Sequence, residues 1–103
     1  MNGSEDNVID FTSNMPGMKA DRKIYVEVNE RRDKNGRVFP LSLLWEDGKL
    51  YNIDNILDIR RAASIKTGGV GMRYTVKVKN KQTYIFFEED VYGARWFVER
   101  KGA

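Results

Sequence analysis

The stretch that decides the fold runs from Met72 to Arg100 and reads MRYTVKVKNKQTYIFFEEDVYGARWFVER. Apolar side chains occupy every second position of its first part, at Met72, Tyr74, Val76 and Val78. A period of two is typical of a strand that has one buried face and one solvated face. This pattern predicts a β-strand over residues 72–79.

The remainder of the stretch predicts two more strands, over residues 82–88 and 95–100. Asn80-Lys81 connects the first two strands, and a two-residue connection predicts a hairpin in which Asn takes the first positive-φ position. Residues 89–94 are predicted to form a loop.

Working toward the N-terminus, alternation predicts a strand over residues 24–32 and another over 38–45. Asp33-Lys34-Asn35-Gly36 between them predicts a tight turn. On the second strand we expect Phe39, Leu41, Leu43 and Trp45 to share one face. Pro40 has no amide proton, which predicts an edge or a bulge at that point.

A third strand is predicted to begin after the turn Glu46-Asp47-Gly48 and to cover residues 50–53. The next segment, 54–64, fits two structures. As a helix it would be capped by Asp54; as a strand it would alternate through Leu57 and Ile59. Because its neighbours are all strands, we favour a strand with a kink at Asp54-Asn55.

These elements predict a single mainly-β domain, an antiparallel meander of six to seven strands curled into a small barrel or half-barrel. The domain is predicted to span residues 23–103, after a flexible N-terminal tail over 1–22. Residues 66–71 hold three Gly and are predicted to form a mobile loop. The predicted core consists of Ile24, Val26, Val28, Leu41, Leu43, Leu50, Ile53, Leu57, Tyr74, Val76, Val78, Ile85, Phe87, Trp96 and Val98.

Composition narrows the range of functions. The chain of 103 residues contains no His and no Cys, which excludes Ser-His, Cys-His and thiolate-metal chemistry. We therefore expect a protein that is not an enzyme and that has no cofactor and no metal. The sequence shows neither a signal peptide nor an apolar run long enough to cross a membrane. We expect a cytoplasmic protein without a membrane partner.

The formal net charge of +3 is unevenly distributed. Residues 1–22 carry a net charge of −2, and residues 23–103 carry +5. The basic body is compatible with a solvated mixed-charge surface or with a functional basic patch.

Six residues are candidates for contact with a nucleic acid or another ligand. Basic side chains interleaved with aromatic rings can hold single-stranded nucleic acid by phosphate neutralisation and stacking. A Gly-rich loop between two basic residues can also cradle a phosphate, although this one lacks the P-loop sequence. The candidates are Arg60, Arg61, Lys66, Arg73, Lys77 and Tyr84.

Several runs carry a resemblance to a known group: LSLLWEDGKLYNIDNILDIR (41–60), RYTV (73–76), TYIFFE (83–88) and RWFVER (95–100). They resemble small all-β proteins of unknown function from Gram-positive, clostridia-like bacteria. The residues from Trp45 to Tyr51 are also similar to the Trp-x-Gly-x-x-Tyr pattern of a bacterial domain of unknown function, with one more residue before Gly. The resemblance implies a bacterial cytoplasmic β-domain. It implies no catalytic or binding residues. Some domains of the second group are thought to be encoded near error-prone DNA polymerases, which would link a nucleic-acid-binding function to DNA repair or replication.

Together these observations predict a non-enzymatic binding module for a protein partner, which it would hold through a sheet edge or the Gly-rich loop. The alternative is a domain that binds single-stranded nucleic acid. The protein is expected to be a monomer or a homodimer, and self-association as a structural protein is the third hypothesis.

Overall fold

A computed structural model describes residues 22–62 and 70–100, and these residues form an all-β structure. The predicted fold class is confirmed. The strands are β1 (Arg22–Arg32), β2 (Val38–Leu44), β3 (Leu50–Asn52), β4 (Asn55–Arg61), β5 (Val70–Val78), β6 (Lys81–Asp90) and β7 (Gly93–Arg100).

The seven strands form one antiparallel sheet in the order β3-β2-β1-β7-β6-β5-β4. Two meanders, β1–β3 and β4–β7, are joined by the long-range pairing of β1 with β7. The short strand β3 and the strand β4 are consecutive in the chain, yet they lie at opposite edges of the sheet. The sheet must therefore curl until its edges meet, which produces a half-barrel.

The edges meet at two successive residues. The amide of Ile53 donates to the carbonyl of Leu41 on β2 at 2.9 Å, whereas the amide of Asp54 donates to the carbonyl of Lys77 on β5 at 2.8 Å. The chain thus leaves one edge and joins the other at the predicted kink. Segment 54–64 was predicted as a strand rather than a helix, and β4 confirms this over Asn55–Arg61.

Two β-bulges shift the alternation of buried side chains. Asn29 pairs with Ser42, but the next residue, Glu30, pairs with Pro40, so that Leu41 is the extra residue of β2. On β4 the pairing skips Leu57 in the same way. The bulge predicted near Pro40 is confirmed, because a residue without an amide proton is tolerated where the ladder is interrupted.

The core prediction is largely confirmed. Eight predicted residues are buried in one cluster: Leu43, Tyr74, Val76, Val78, Ile85, Phe87, Trp96 and Val98. Four others, Ile24, Val26, Val28 and Ile53, are half-buried against it. The sequence pattern missed Val38, Trp45 and Tyr51, which are also buried in the cluster.

Three core predictions are wrong. Leu41 and Leu57 are 49% and 48% exposed because each is the extra residue of a bulge and turns away from the interior. Leu50 is exposed because Tyr51 is the residue of β3 that faces the core. Of the predicted shared face of β2, only Leu43 and Trp45 are buried.

The β5–β6 turn lies one residue earlier than predicted. Val78 pairs with Lys81, so the two turn residues are Lys79 and Asn80, and both have positive φ, at 51° and 67°. This conformation matches the right-handed twist of the flanking strands. The predicted loop over 89–94 is only a short turn, because β6 extends to Asp90 and β7 begins at Gly93.

The predicted tail falls almost wholly on residues 1–21, which lie outside the described residues, as does most of the Gly-rich loop. Over the described ranges, no helix is long and apolar enough to cross a membrane.

Candidate functional site

The structure places four of the six predicted site residues on the outer face, which is the side of β4–β7 and β1 turned away from the core. Arg60 on β4 lies directly opposite Arg73 on β5, and the Arg73 guanidinium carbon lies 4.7 Å from the ring centre of Tyr84 on β6. Lys77 lies farther along β5, opposite Asn55. Arg61 alternates to the other face, opposite Met72, and Lys66 lies outside the described residues.

Arg60, Arg73 and Lys77 form a short basic strip on the outer face. Asp58 partly neutralises it through an ion pair of 2.7 Å with Arg60. The Nε atom of Arg73 is buried and has no hydrogen-bond partner among residues 22–62 and 70–100. An orphaned donor of this kind is unfavourable. The side chain is held by its contact with the Tyr84 ring.

A second group on the outer face, the outer cluster, consists of Lys23, Tyr25, Phe86, Glu88, Arg95 and Phe97. Phe97 is only 6% exposed although it lies on the outer face. Its ring is parallel to that of Phe86 with centres 5.0 Å apart, and the ring of Tyr25 meets it edge-on. Phe97 is not among the predicted core residues. The sheet therefore has a small apolar layer on both sides.

Glu88 organises the charges of the outer cluster. Its carboxylate accepts hydrogen bonds from Lys23 Nζ at 3.0 Å and from the Tyr25 hydroxyl at 3.0 Å, and Arg95 Nη2 lies 2.9 Å away. Burial alone would raise the pKa of Glu88. The two hydrogen bonds and the positive charges of Lys23 and Arg95 outweigh it and hold that pKa below its ordinary value.

We expect Glu88→Gln to lower the free energy of unfolding at pH 6 by about 1–3 kcal/mol, the range for losing hydrogen bonds to a charged group. The pKa of Glu88 is lower in the folded than in the unfolded protein. Its contribution is therefore complete above the ordinary pKa of 4.5 and is lost as the pH falls through the folded value. Urea denaturation between pH 6 and pH 3 should show the difference between wild type and variant shrinking with acidification.

Glu27→Gln is the matched control, because Glu27 is an exposed residue of β1 on the outer face, where Glu88 also lies. It should leave the unfolding curve nearly unchanged at every pH. A Glu88→Gln difference that stayed constant down to pH 3 would contradict an ionised, hydrogen-bonded Glu88.

A mainly apolar slit lies between the two sheet edges in the described part of the molecule. β3 covers only Ser42–Leu44 of β2, so the first half of β2 and the edge of β4 face each other without pairing. The slit has a volume of about 440 Å³, within the range of ligand sites in proteins. Its walls are mainly apolar; they consist of Arg32, Gly36, Arg37, Val38, Phe39, Ile59, Val70, Met72, Tyr74, Phe87 and Glu89.

Tyr74 spans the slit from β5 to β2, and its hydroxyl donates to the carbonyl of Val38. Burial and the negative charge of Glu30 raise the pKa of Tyr74 to about 12. The phenol is therefore neutral and committed to a structural hydrogen bond. At the rim, Arg32 is anchored to the carbonyl of Gly36 at 3.2 Å and lies 3.7 Å from Glu30.

Sequence reasoning missed the slit. Ile59 was read only as part of an alternating strand, although it is an apolar residue beside three charged ones, Asp58, Arg60 and Arg61. The available signal was the shortness of the third predicted strand, residues 50–53, which is followed directly by another predicted strand. So short a strand leaves part of its neighbour's edge unpaired.

A comparison of the chain with protein-family models, curated proteins and solved structures gives no match. Among the described residues, no group of three or more acidic residues is placed to hold a metal ion.

Proposed function

We propose that this protein is a non-enzymatic binding module and that the slit between β2 and β4 holds a segment of a protein partner. The observation that carries the proposal is the combination of an apolar opening with a strand edge along its side that is unpaired among the described strands. Protein segments bind to such edges through main-chain hydrogen bonds, and adjoining apolar pockets select their side chains.

The exposed apolar residues at the slit support this function. Ile59 is 39% exposed and Val70 is 47% exposed, and both line the slit together with Phe39. Apolar groups that converge on one opening favour association, because a partner removes them from water.

The polar groups of the slit support binding rather than catalysis. A catalytic acid or base works best when its pKa lies near the working pH. Tyr74 is neutral and already hydrogen-bonded to Val38. Arg32 and Arg37 are permanently charged donors, which suits recognition of a carboxylate.

The test is selection of peptides from a displayed random 12-residue library against the whole chain. Each selected peptide is then measured by fluorescence anisotropy against Ile59→Asp and Leu50→Asp. We expect Ile59→Asp to weaken binding at least tenfold, because a charge in the slit must be desolvated when a partner binds. Leu50→Asp, at a more exposed apolar residue on the β3 edge, should bind within about twofold of wild type.

Selection that yields no peptide distinguishable from those bound by an unrelated β-protein would overturn the proposed function. Equal loss in both variants would also contradict it, because binding would then not depend on the slit.

A second candidate function is binding of single-stranded nucleic acid on the outer face. It is favoured by the basic strip and by Tyr84, which lies under Arg73. A cation therefore covers the Tyr84 ring, and cations also cover two further outer rings, those of Phe97 and Tyr25. Lys23 Nζ lies 4.5 Å from the ring centre of Phe97, and the Arg95 guanidinium carbon lies 4.7 Å from that of Tyr25. Both cations occupy positions that a base would need for stacking.

Anisotropy with labelled single-stranded DNA and RNA at about 50 and 200 mM salt tests this candidate. Contacts with several phosphates predict an affinity that falls steeply over this range. Arg73→Ala should weaken binding at low salt, whereas Arg37→Ala, at the slit, should not. Absence of binding at low salt would eliminate this function.

A further inference from the structure

The edge of β4 that no described strand pairs with offers specific main-chain groups to a partner. The amide of Ala62 donates to the carbonyl of Gly71 at 2.9 Å. This bond shows which alternate residues of β4 direct their main-chain groups toward β5. Alternate residues of a strand direct their main-chain groups to opposite sides. Arg60 therefore pairs with β5, while the N–H and C=O groups of Ile59 and Arg61 face the open edge.

The facing edge of β2 is poorly suited to accept a strand. Pro40 has no N–H group, and the carbonyl of Val38 is already bonded to Tyr74. Proline on an edge is a common protection against unwanted pairing. Within the described residues, the asymmetry of the slit therefore directs an incoming strand to β4 rather than to β2.

The charges along the slit and the β4 edge favour an acidic segment. Basic groups are in the majority on both sides of the β4 edge: Arg60, Arg73 and Lys77 form the basic strip of the outer face, against Asp58, and Arg32 and Arg37 line the slit, against Glu89. Of these five, Arg37, Arg73 and Lys77 form no ion pair with any described residue. A partner with carboxylates would balance the excess positive charge.

We propose that the partner contributes an extended segment, with acidic and apolar residues in alternation, that pairs with the main chain of Ile59 and Arg61. This inference rests on the proposed function and defines its ligand. Because strand side chains alternate between faces, the apolar set would enter the slit beside Val38 and Met72. The acidic set would lie on the opposite side, near Arg60.

The probe is the synthetic heptapeptide acetyl-Glu-Val-Glu-Ile-Glu-Phe-Glu-amide, compared with a counterpart in which Lys replaces every Glu. Two further versions carry N-methyl groups, one on the apolar residues and one on the acidic residues. Binding is followed by ¹⁵N NMR shifts of the whole chain, and hydrogen exchange of individual amides is measured with and without peptide.

We expect the acidic peptide to bind at least tenfold more tightly than the Lys peptide. The amides of Ile59 and Arg61 should exchange at least tenfold more slowly in its presence, while that of Arg60, already bonded to β5, should change little. One N-methylated version should lose binding and the other should keep it within about twofold, because only one alternate set of amides faces β4.

The outcomes separate this inference from the proposed function. Two results would overturn the inference and leave the proposed function in place. In the first, the slit-dependent peptides from the library are basic; in the second, they bind without protecting the amides of Ile59 and Arg61 from exchange. Absence of any slit-dependent peptide would overturn both. A dimer of the chain that protects the same two amides without peptide would show that a second copy occupies the edge, and this too would overturn the inference.

Discussion

Leu43→Ala is expected to reduce the free energy of unfolding by about 2–5 kcal/mol, while Leu41→Ala, two positions earlier on the same strand, changes it by about 0.5 kcal/mol or less. Leu43 is 1% exposed and belongs to the central core cluster. Its truncation removes buried apolar surface and leaves a cavity. Leu41 is the extra residue of the β2 bulge, and its side chain is half exposed to solvent.

The measurement is urea denaturation followed by tryptophan fluorescence, because Trp45 and Trp96 are both buried in the core. The comparison is internally matched, since both variants delete the same atoms from the same strand. Similar losses in the two variants would contradict the bulge, because a regular strand would place both leucines on one face.

The second large effect is expected at Phe97. Phe97→Ala should destabilise the fold by about 3–5 kcal/mol, the range for truncating a buried aromatic residue. The ring is stacked on Phe86, contacted edge-on by Tyr25 and covered by Lys23. The variant would lose these contacts, and the packing of the outer cluster around Glu88 would loosen.

Tyr92→Ala is the control, because Tyr92 is 85% exposed in the β6–β7 turn, and it should change the unfolding free energy by about 0.5 kcal/mol or less. Urea denaturation of both variants at pH 7 makes the comparison. A Phe97→Ala variant as stable as wild type would show that the ring contributes little to the fold. The outer face would then remain a candidate surface on which bases stack.

The expectations from sequence succeeded where the pattern was local. The alternation from Met72 to Val78 predicted β5, and the apolar positions that it assigned to the core are buried or half-buried. The number of strands and the antiparallel class followed in the same way. Such features depend on residues close together in the chain, and a period of two is visible without any tertiary information.

The expectations failed where the position of a side chain depends on strands that are distant in the sequence. Leu41 and Leu57 fit the alternating pattern, but each is skipped in the register with the neighbouring strand. Phe97 is absent from the predicted core, which contains its two neighbours Trp96 and Val98. It is covered by residues of β1 and β6 that lie far away in the sequence.

The candidate site shows the same division. Arg60, Arg73, Lys77 and Tyr84 were selected as basic and aromatic residues on strands, and the sheet does bring Arg60, Arg73 and Tyr84 together. The slit was not foreseen, because its walls come from two edges that are neighbours only in a curled sheet.

By itself, then, the sequence determined an all-β chain, most of its strands and most of its core, because hydrophobic alternation is a local property. Only the tertiary structure decided which edges face each other, where the bulges rotate a leucine into solvent and where an opening remains. These features depend on the pairing of β1 with β7 and on the crossing from β3 to β4 at Ile53 and Asp54. Such long-range pairings leave no periodic trace in the residues that form them.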